Sequence, residues 1–452
     1  MRLARGVAPY DAFDVGDPLA WTTVDLTVRH LWQPPPLPTL AEVATVGDGR
    51  LALALCHPDG RVREAALSRA ADRPALLPLV VVRCADWVAP VRERAREVLR
   101  ASLDADTAVA LAPLILRVGR RERGAHAVEL LGGWLRGLPR ERRASLFTSA
   151  DRSVRRYAYR LAVEEGLFSP AELARTAALD GDIVVQNLCT EAALAAVRES
   201  GAYDDVLPSL LGAPGPQVRA AGVTALRAAG RPETAVPFLV DRSAIVRACA
   251  RYVVRQYGGD PVARYRAWCA DPAGPTTSPG AAVGLAECGE RADAVLLWPL
   301  LGHPEGRVRA GAVAGLRMLD VVDVERLLPL LDDPAPGVVR EVTRALLPSA
   351  RALPPEVLTE RLPPGRARQA RVAAFRLSQA RGGVVALRVA VGLLDDADER
   401  LRVWAGQCVQ RWRAGGDVVR GDAEVGELLD RARHLFSDYV LKRRKWEAGL
   451  RA

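Results

Sequence analysis

The feature that most constrains this chain is a segment that recurs about every 31 residues along most of its length. In each copy an apolar residue followed by arginine opens a run with helical periodicity, as in GRVREAAL, RSVRRYA, PQVRAAGVTAL and GRVRAGAVAGL. The apolar anchors are Val62, Val91, Val154, Val218, Val246, Val308, Val339, Ala370 and Leu401, with a degenerate copy at Val185. Two spacings of double length each hide one diverged copy, so the sequence predicts about twelve units.

Apolar side chains continue from each anchor at helical spacing. In the copy that starts at Val246 they are Cys249, Ala250, Val253 and Val254. This spacing places them on one face of an amphipathic helix of about three turns, with a small residue where two helices approach closely. We take this helix as the second helix of each unit.

A shorter apolar run that contains proline precedes each second helix, with the prolines at Pro78, Pro113, Pro208, Pro237, Pro299 and Pro329. Proline removes an intrahelical hydrogen bond, so its recurrence predicts a first helix that is bent at a fixed place. Turn residues such as HPDG and DDPAPG separate the two helices. The repeating unit is therefore predicted to be helix, tight turn, helix.

A proline-bearing first helix, an Asp-rich turn and a Val-Arg-x-x-Ala second helix resemble HEAT repeats, particularly the short variety named after phycobilisome lyases. The resemblance covers roughly residues 40 to 413 and implies an all-α fold, an α-solenoid of about twelve HEAT-like helical pairs with terminal caps. A content of 49% hydrophobic but only 5% aromatic residues also favours packed helices. The resemblance says little about function, because such repeats occur in scaffolds, transport factors, bilin lyases and DNA glycosylases.

Three segments are predicted from the limits of the repeat. Residues 1–38 form an N-terminal cap and proline-rich connector containing QPPPLP, residues 39–413 form the solenoid, and residues 414–452 form a C-terminal capping helix with the basic tail KRRKW. Within the array, GLFSPAEL predicts a helix that starts at Ser169 with Glu172 in a capping box. The irregular stretch DPAGPTTSPG at 271–280 is interpreted as an insertion rather than as a binding loop.

The arginine after each anchor forms a column through the array: Arg63, Arg92, Arg155, Arg219, Arg247, Arg309, Arg340, Arg371 and Arg402. The HEAT resemblance implies that such an arginine pairs with an aspartate in the preceding turn. The candidates are Asp59, Asp86, Asp151, Asp241, Asp333 and Asp398. We therefore interpret the column as a structural ladder, because a bidentate arginine–carboxylate pair ties turn to helix and unit to unit.

Basic charge outside this column is segregated along the chain. Residues 117–160 carry twelve arginines and four acidic residues, 361–388 carry seven arginines and no acid, and 440–452 are also basic, against a total net charge of +9. Such segments suggest polyanion contact, although charge runs are usually solvated faces. The candidate residues are Arg120, Arg121, Arg123, Arg140, Arg142, Arg143, Arg156, Tyr157, Arg160, Arg366, Arg368, Lys442, Arg443, Arg444 and Lys445.

The sequence shows no motif for catalysis or for a metal. Its seven cysteines form no C-x-x-C pair, its five histidines form no His-Glu pair, and phosphate loops and nucleophile motifs are absent. We therefore predict no cofactor, no metal and no catalytic residue. Neither a signal peptide nor a membrane span is predicted, which suggests a cytoplasmic location, and the dominance of arginine over lysine suggests a GC-rich bacterial genome.

The sequence favours a non-enzymatic scaffold or adaptor that offers an extended curved surface to a protein partner. A nucleic-acid-binding solenoid is the first alternative, on the basic segments. The second is an enzyme similar to HEAT-like DNA glycosylases, for which Trp268, Asp271 and Trp298, or Asp86 with Trp87, would supply an aromatic cleft and an aspartate. No oligomeric state is predicted.

Overall fold

The computed structural model describes residues 2–30, 36–274 and 278–450, and these residues form helices and turns without any strand. The fold is an all-α solenoid of HEAT-like helical pairs with terminal caps. Contacts divide the chain into two compact bodies, Met1–Gly222 and Val223–Ala452, called here the N-terminal and the C-terminal body. In the ranges that the structure describes, no helix is long and apolar enough to cross a membrane.

The N-terminal body and the boundary are built from α1 (Pro9–Ala12), α2 (Pro18–His30), α3 (Asp48–Leu55), α4 (Gly60–Ala70), α5 (Leu77–Arg83), α6 (Ala89–Ser102), α7 (Ala105–Val118), α8 (Ala125–Arg136), α9 (Arg140–Phe147), α10 (Arg152–Glu164), α11 (Pro170–Leu179), α12 (Ile183–Ser200), α13 (Leu207–Leu211) and α14 (Pro216–Ala228). The C-terminal body continues with α15 (Pro232–Ala235), α16 (Ala244–Gln256), α17 (Pro261–Ala270), α18 (Pro279–Cys288), α19 (Ala294–Leu297), α20 (Gly306–Met318), α21 (Val324–Leu327), α22 (Pro336–Leu346), α23 (Pro355–Thr359), α24 (Arg368–Arg381), α25 (Gly383–Gly392), α26 (Glu399–Arg411), α27 (Ala423–Arg431) and α28 (Asp438–Glu447).

The second helices begin where the repeat predicts. The anchors Val62, Val246 and Val308 are buried in the first turn of α4, α16 and α20. An aspartate side chain accepts a backbone N–H at the start of several of these helices, as Asp59 and Asp398 do. Such a cap satisfies a donor that has no partner inside the helix, which fixes the start of the helix after the turn.

Three of the six prolines predicted in the first helices mark a change of helix type. At Pro237, Pro299 and Pro329 a short α-helix gives way to a 3-10 helix. The missing N–H of proline removes an α-helical hydrogen bond, and the tighter 3-10 turn shortens the first helix at that point. Elsewhere the proline stands in the first turn or inside the helix, as at Pro78, Pro208 and Pro113.

The ends of the array are covered by helices that are not repeats. In the N-terminal cap, the buried Trp21 of α2 stacks edge-on against Phe13 and donates its Nε1–H to the Val15 carbonyl at 2.9 Å. Residues 33–35 of QPPPLP lie outside the described residues. The C-terminal segment forms two helices, α27 and α28, instead of the one predicted, because Ser437 caps a new helix after a short break.

Two local predictions concern irregular positions. Ser169 and Glu172 form the capping box at the start of α11, as predicted. In DPAGPTTSPG, residues 275–277 lie outside the described residues, and Ser278 caps α18.

Small residues allow helices to approach closely, which yields the first prediction. A Cβ at Gly284 would lie 2.4 Å from the ring of Tyr265, which is fully buried. Gly284→Ala should therefore lower the free energy of unfolding in urea by about 1–3 kcal/mol, because the packed core cannot accept the methyl group. The control is Gly133→Ala in α8, where no atom lies within 4 Å. That substitution should add about 0.5–1 kcal/mol, and equal effects would contradict the packing argument.

Candidate functional site

Most arginines of the column donate a hydrogen bond to the backbone of their own unit. In most of its members Nη1 donates to the carbonyl six residues earlier, in the turn between the helices, at 2.6–2.9 Å. The acceptors are the carbonyls of His57 for Arg63, Asp86 for Arg92, Ser149 for Arg155, Ala213 for Arg219, Asp241 for Arg247, His303 for Arg309 and Asp396 for Arg402. These bonds hold each turn against its own second helix.

The other side of the guanidinium binds a carboxylate of the next unit. Arg63 Nε and Nη2 donate to Asp86 at 3.0 and 2.9 Å, and Arg309 donates to Asp333 at 2.8 and 2.7 Å. Comparable pairs join Arg155 to Asp180 and Arg371 to Asp396, while Arg247 reaches across a diverged unit to Glu287. Each such pair, which we call a rung, connects neighbouring units.

The predicted partner of the arginines was therefore wrong in one respect. The turn that precedes most of these arginines supplies a backbone carbonyl, and where a rung forms, the carboxylate comes from further along the chain. Asp86 pairs with Arg63, and Asp333 pairs with Arg309 rather than with Arg340. The same carboxylates also accept a backbone N–H two residues on, from Val88 at 3.0 Å and from Ala335 at 2.8 Å. One aspartate thus fixes its own turn and binds the preceding unit.

The first rung continues into the N-terminal cap. Asp86 also accepts from Arg83 at 2.9 Å and from Arg29 of α2 at 3.4 Å, while Asp25 of α2 pairs with both of these arginines. Burial raises the pKa of Asp25, against the lowering effect of the Arg29 charge. This cluster fastens the cap to the array. It also encloses Asp86, which is the aspartate of one glycosylase alternative, and leaves Trp87 66% exposed beside it.

The polyanion candidates of residues 117–160 are mostly engaged within the chain. Arg140, Arg142, Arg143 and Arg156 bind Glu172, Asp106, Glu165 and Asp182 respectively, and Arg143 is buried. The others donate elsewhere, Arg120 to Ser153 Oγ, Arg123 to the Trp87 carbonyl and Tyr157 to the Val128 carbonyl. Within the described residues, the side chains of Arg121 and Arg160 make no hydrogen bond.

The remaining polyanion candidates likewise include side chains that are paired within the chain and side chains that are not. Arg368 binds Asp398 at 2.6 Å, Arg443 and the buried Arg444 bind Glu447, and Lys445 binds Asp430 at 2.7 Å. Arg366 and Lys442 are exposed and make no side-chain hydrogen bond to any residue that the structure describes. Internal pairing therefore reduces the charge that these basic segments present to a polyanion.

A cleft of 480 Å³ in the N-terminal body lies beside α11. Its lining comprises Arg140, Tyr159, Phe168, Glu172, Arg175, Thr176, Leu179 and Asp180. The ring of Phe168 lies 5.1 Å from that of Phe147 and 5.8 Å from that of Tyr159, and the Arg140 guanidinium stands 4.4 Å from the Phe168 centroid. We call this the aromatic cleft.

The polar groups of the aromatic cleft are held by one another. Arg140 binds Glu172 at 2.8 Å, and Glu172 also accepts the Ser169 backbone N–H at 2.9 Å. The hydrogen bond from Arg140 has the larger effect, and the two together lower the pKa of Glu172 to about 2. Burial raises the pKa of the Tyr159 hydroxyl above its ordinary value of 10. The cleft therefore offers aromatic rings beside polar groups that are paired with one another.

Two exposed apolar residues lie at and near the aromatic cleft, Leu179 in its lining and Ile183 four residues further along the chain. Leu179 ends α11 with 81% of its surface exposed, and Ile183 begins α12 with 55% exposed. The sequence reading did not single out Phe168, Arg175 or Leu179. The signal that could have found them is the apolar Leu179 at a position where helix spacing places it outside the core.

The C-terminal body has a second recess, between α22 and α24. This groove of 440 Å³ is lined by Pro336, Val339, Arg340, Thr343, Arg368, Gln369, Val372, Ala373 and Arg376. It contains one member of the arginine column, Arg340, and one polyanion candidate, Arg368. We call it the arginine groove.

Three buried cysteines and the tryptophans Trp268 and Trp298 of the glycosylase alternative are held within the structure. Burial raises the pKa of the Cys84, Cys189 and Cys269 thiols to about 12. Trp268 stacks edge-on against Tyr265, and the Arg326 guanidinium covers Trp298 at 5.0 Å. Over the ranges 2–30, 36–274 and 278–450, no three His, Cys, Asp or Glu residues are grouped as a metal would require.

The sequence matches no model of a protein family and no curated protein. Similar solved structures include importin beta, at 13% identity and a TM-score of 0.40, covering 94% of this chain and 67% of that one.

Two further structures are similar at comparable levels. A Kap95:Nup1 complex matches at 12% identity and a TM-score of 0.33, covering 95% of this chain and 64% of that one. The karyopherin Kap121p, bound to the extreme C-terminus of the protein phosphatase Cdc14p, matches at 12% identity and a TM-score of 0.32, covering 98% and 53%. The chain thus spans between half and two thirds of these proteins, and its description as a HEAT-repeat solenoid rests on the helical pairs above.

The rung geometry predicts that loss of a buried rung aspartate destabilises the protein far more than loss of an exposed aspartate. Asp86→Asn should lower the free energy of unfolding in urea by about 3–5 kcal/mol, because it leaves the buried Arg63 without its carboxylate and removes one of the two carboxylates that bind Arg83. The matched control is Asp320→Asn, because the Asp320 side chain is 93% exposed. This substitution should change the free energy of unfolding by less than about 0.5 kcal/mol. Similar losses in the two variants would refute the rung as a source of stability.

The lowered pKa of Glu172 predicts a pH dependence. Its folded pKa of about 2 lies below the ordinary value of 4.5, so its stabilising contribution is present above pH 4.5 and is lost as the pH falls toward 2. Glu172→Gln should therefore destabilise the protein near neutral pH, and its difference from the wild type should shrink below pH 4.5. Urea unfolding at several pH values measures this, with the exposed Glu141→Gln as control. A difference that is constant with pH would contradict the prediction.

Proposed function

We propose that this protein is a non-enzymatic scaffold or adaptor that binds a segment of a partner protein in the aromatic cleft. The observation that carries the proposal is the exposed Leu179 at the mouth of a cleft lined by Tyr159 and Phe168. Leu179 is the most exposed large apolar side chain in the described residues, and exposed apolar surface beside a recess marks interaction sites. Aromatic and arginine side chains also dominate the energetics of protein interfaces.

The size and chemistry of the cleft favour a peptide segment as its occupant. A volume of 480 Å³ accommodates a few side chains, not a folded domain. Phe168 and Leu179 would contact an apolar anchor residue, and the exposed Arg175 would contact a polar residue beside it. Since Glu172 and Arg140 neutralise each other, the cleft carries no strong net charge for a polyanion.

The nucleic-acid alternative has weaker support. Eight of its fifteen candidate residues bind a carboxylate of the chain, and breaking such a pair offsets part of any gain from a phosphate contact. The glycosylase alternative has less support still, because Asp86 is enclosed by arginines. A scaffold needs neither exposed basic tracks nor a free carboxylate.

Selection from a displayed library of random 12-residue peptides tests the proposal. The wild type should enrich peptides with an apolar anchor, and Leu179→Asp combined with Ile183→Asp should reduce their capture by about tenfold or more, because a charged rim opposes burial of the anchor. The control is Val295→Asp, a residue 69% exposed in the C-terminal body, which should leave capture unchanged. Failure to enrich such peptides, or equal losses in both variants, would refute the aromatic cleft as the binding site.

A further inference from the structure

The rung that should start at Arg340 is missing. Four other arginines of the column reach a carboxylate 23–25 residues further along the chain. For Arg340 that spacing falls at Pro364, in a turn whose sequence RLPPGRA contains no acid. The turn carbonyl of Pro334, which a rung arginine would bind, accepts instead from Gln369 Nε2 at 3.4 Å. Arg340 is exposed and has neither a hydrogen-bond nor an ion-pair partner among the described residues.

Arg340 faces a groove that has a second free guanidinium. Arg376 of α24 lines the same arginine groove and is exposed, and within the described part of the chain it also makes no hydrogen bond or ion pair. Arg368 stands at the groove as well but binds Asp398. Two guanidiniums, each with five N–H donors in a planar fork, thus line one recess.

The surrounding charges leave this recess positive. The neighbouring arginines Arg361, Arg371 and Arg388 bind Asp332, Asp396 and Glu424, so they add little field of their own. On α22, Glu341 is held by Arg344. Among the three arginines that line the groove, Arg340 and Arg376 are therefore the two whose charge no carboxylate of the described residues compensates.

The floor of the groove is apolar. Val339 and Ala373 are buried there and Val372 is half-buried. Such a floor suits the side chains of a peptide better than a sugar-phosphate backbone. A nucleic-acid track also requires many phosphate contacts, whereas two free guanidiniums match one or two carboxylates.

We infer that the arginine groove binds an acidic segment of a partner protein, and that a carboxylate of this segment occupies the place of the missing aspartate. The inference rests on the proposed function in that its occupant is a protein segment, but it concerns a different site. In the four complete rungs an aspartate of the chain binds the guanidinium. At Arg340 the same interaction is open to an Asp or Glu side chain supplied from outside.

Peptide selection with charge variants provides the first test. The wild type should enrich Asp- and Glu-rich peptides from a displayed random 12-residue library, and Arg340→Asp combined with Arg376→Asp should reduce their capture by about tenfold or more. The matched control is the double substitution Arg317→Asp with Arg366→Asp, which changes the charge equally at exposed positions outside the groove lining. Absence of acidic enrichment, or an equal loss in the control, would overturn the inference.

Restoring the rung within the chain provides the second test. Pro364→Asp places a carboxylate at the spacing used by the complete rungs, so it should raise the Tm and reduce the capture of acidic peptides. Pro364→Asn removes the same proline without adding charge and should do neither. A Pro364→Asp variant that still captures acidic peptides as well as the wild type would overturn the inference.

The outcomes separate this site from the aromatic cleft. If substitution of Arg340 abolishes the capture of acidic peptides and the Leu179 and Ile183 variant still captures them, the result supports the arginine groove. This holds even if the aromatic cleft binds no peptide. If the wild type enriches apolar-anchor peptides but no acidic peptides, the proposed function stands and the inference is overturned. Binding of a 20-base-pair DNA duplex that is lost on Arg340 substitution, without capture of acidic peptides, would assign the groove to nucleic acid instead.

Discussion

The pairing of an arginine with a carboxylate of the next unit is the interaction on which the rest of the array depends. A single helical pair leaves an apolar face uncovered, and stacking alone would let neighbouring units slide. The bidentate geometry at Arg63 and Arg309 fixes the distance and the orientation between units, because both N–H donors must meet both oxygens. Each rung also pairs one basic with one acidic side chain, so its arginine adds nothing to the net charge of +9.

The fold could be predicted from the sequence because its signals are local. The anchors, the caps and the prolines recur within units of about 31 residues, and their spacing is enough to place the second helices. The predictions that failed involve distance along the chain. Nothing in the sequence around Arg63 distinguishes Asp59, four residues before it, from Asp86, which binds it from the next unit. The break that separates α27 from α28 likewise depends on how the last helix turns back to cover the end.

The candidate sites were less accessible to sequence reasoning for a different physical reason. A run of arginines indicates charge, but whether the charge is free depends on acids brought in from elsewhere, as Glu172 is brought to Arg140. Phe168 carries no signal until its ring is placed beside Tyr159. Arg340 is the exception. Once it is known that a rung arginine binds an acid in the following turn, the absence of an acid from that turn is visible in the sequence.

The direction of the rung has a consequence for synthesis. Each arginine of a complete rung lies 23–25 residues before its carboxylate, while the turn carbonyls that bind Nη1 of Arg63, Arg155 and Arg309 have already been made. On a chain that emerges from the ribosome N-terminus first, a new unit can dock its turn at once but holds a partly unpaired guanidinium until the following turn appears. Completion of each of these rungs therefore lags about one unit behind translation, and its arginine stays without its carboxylate until the following unit has been made.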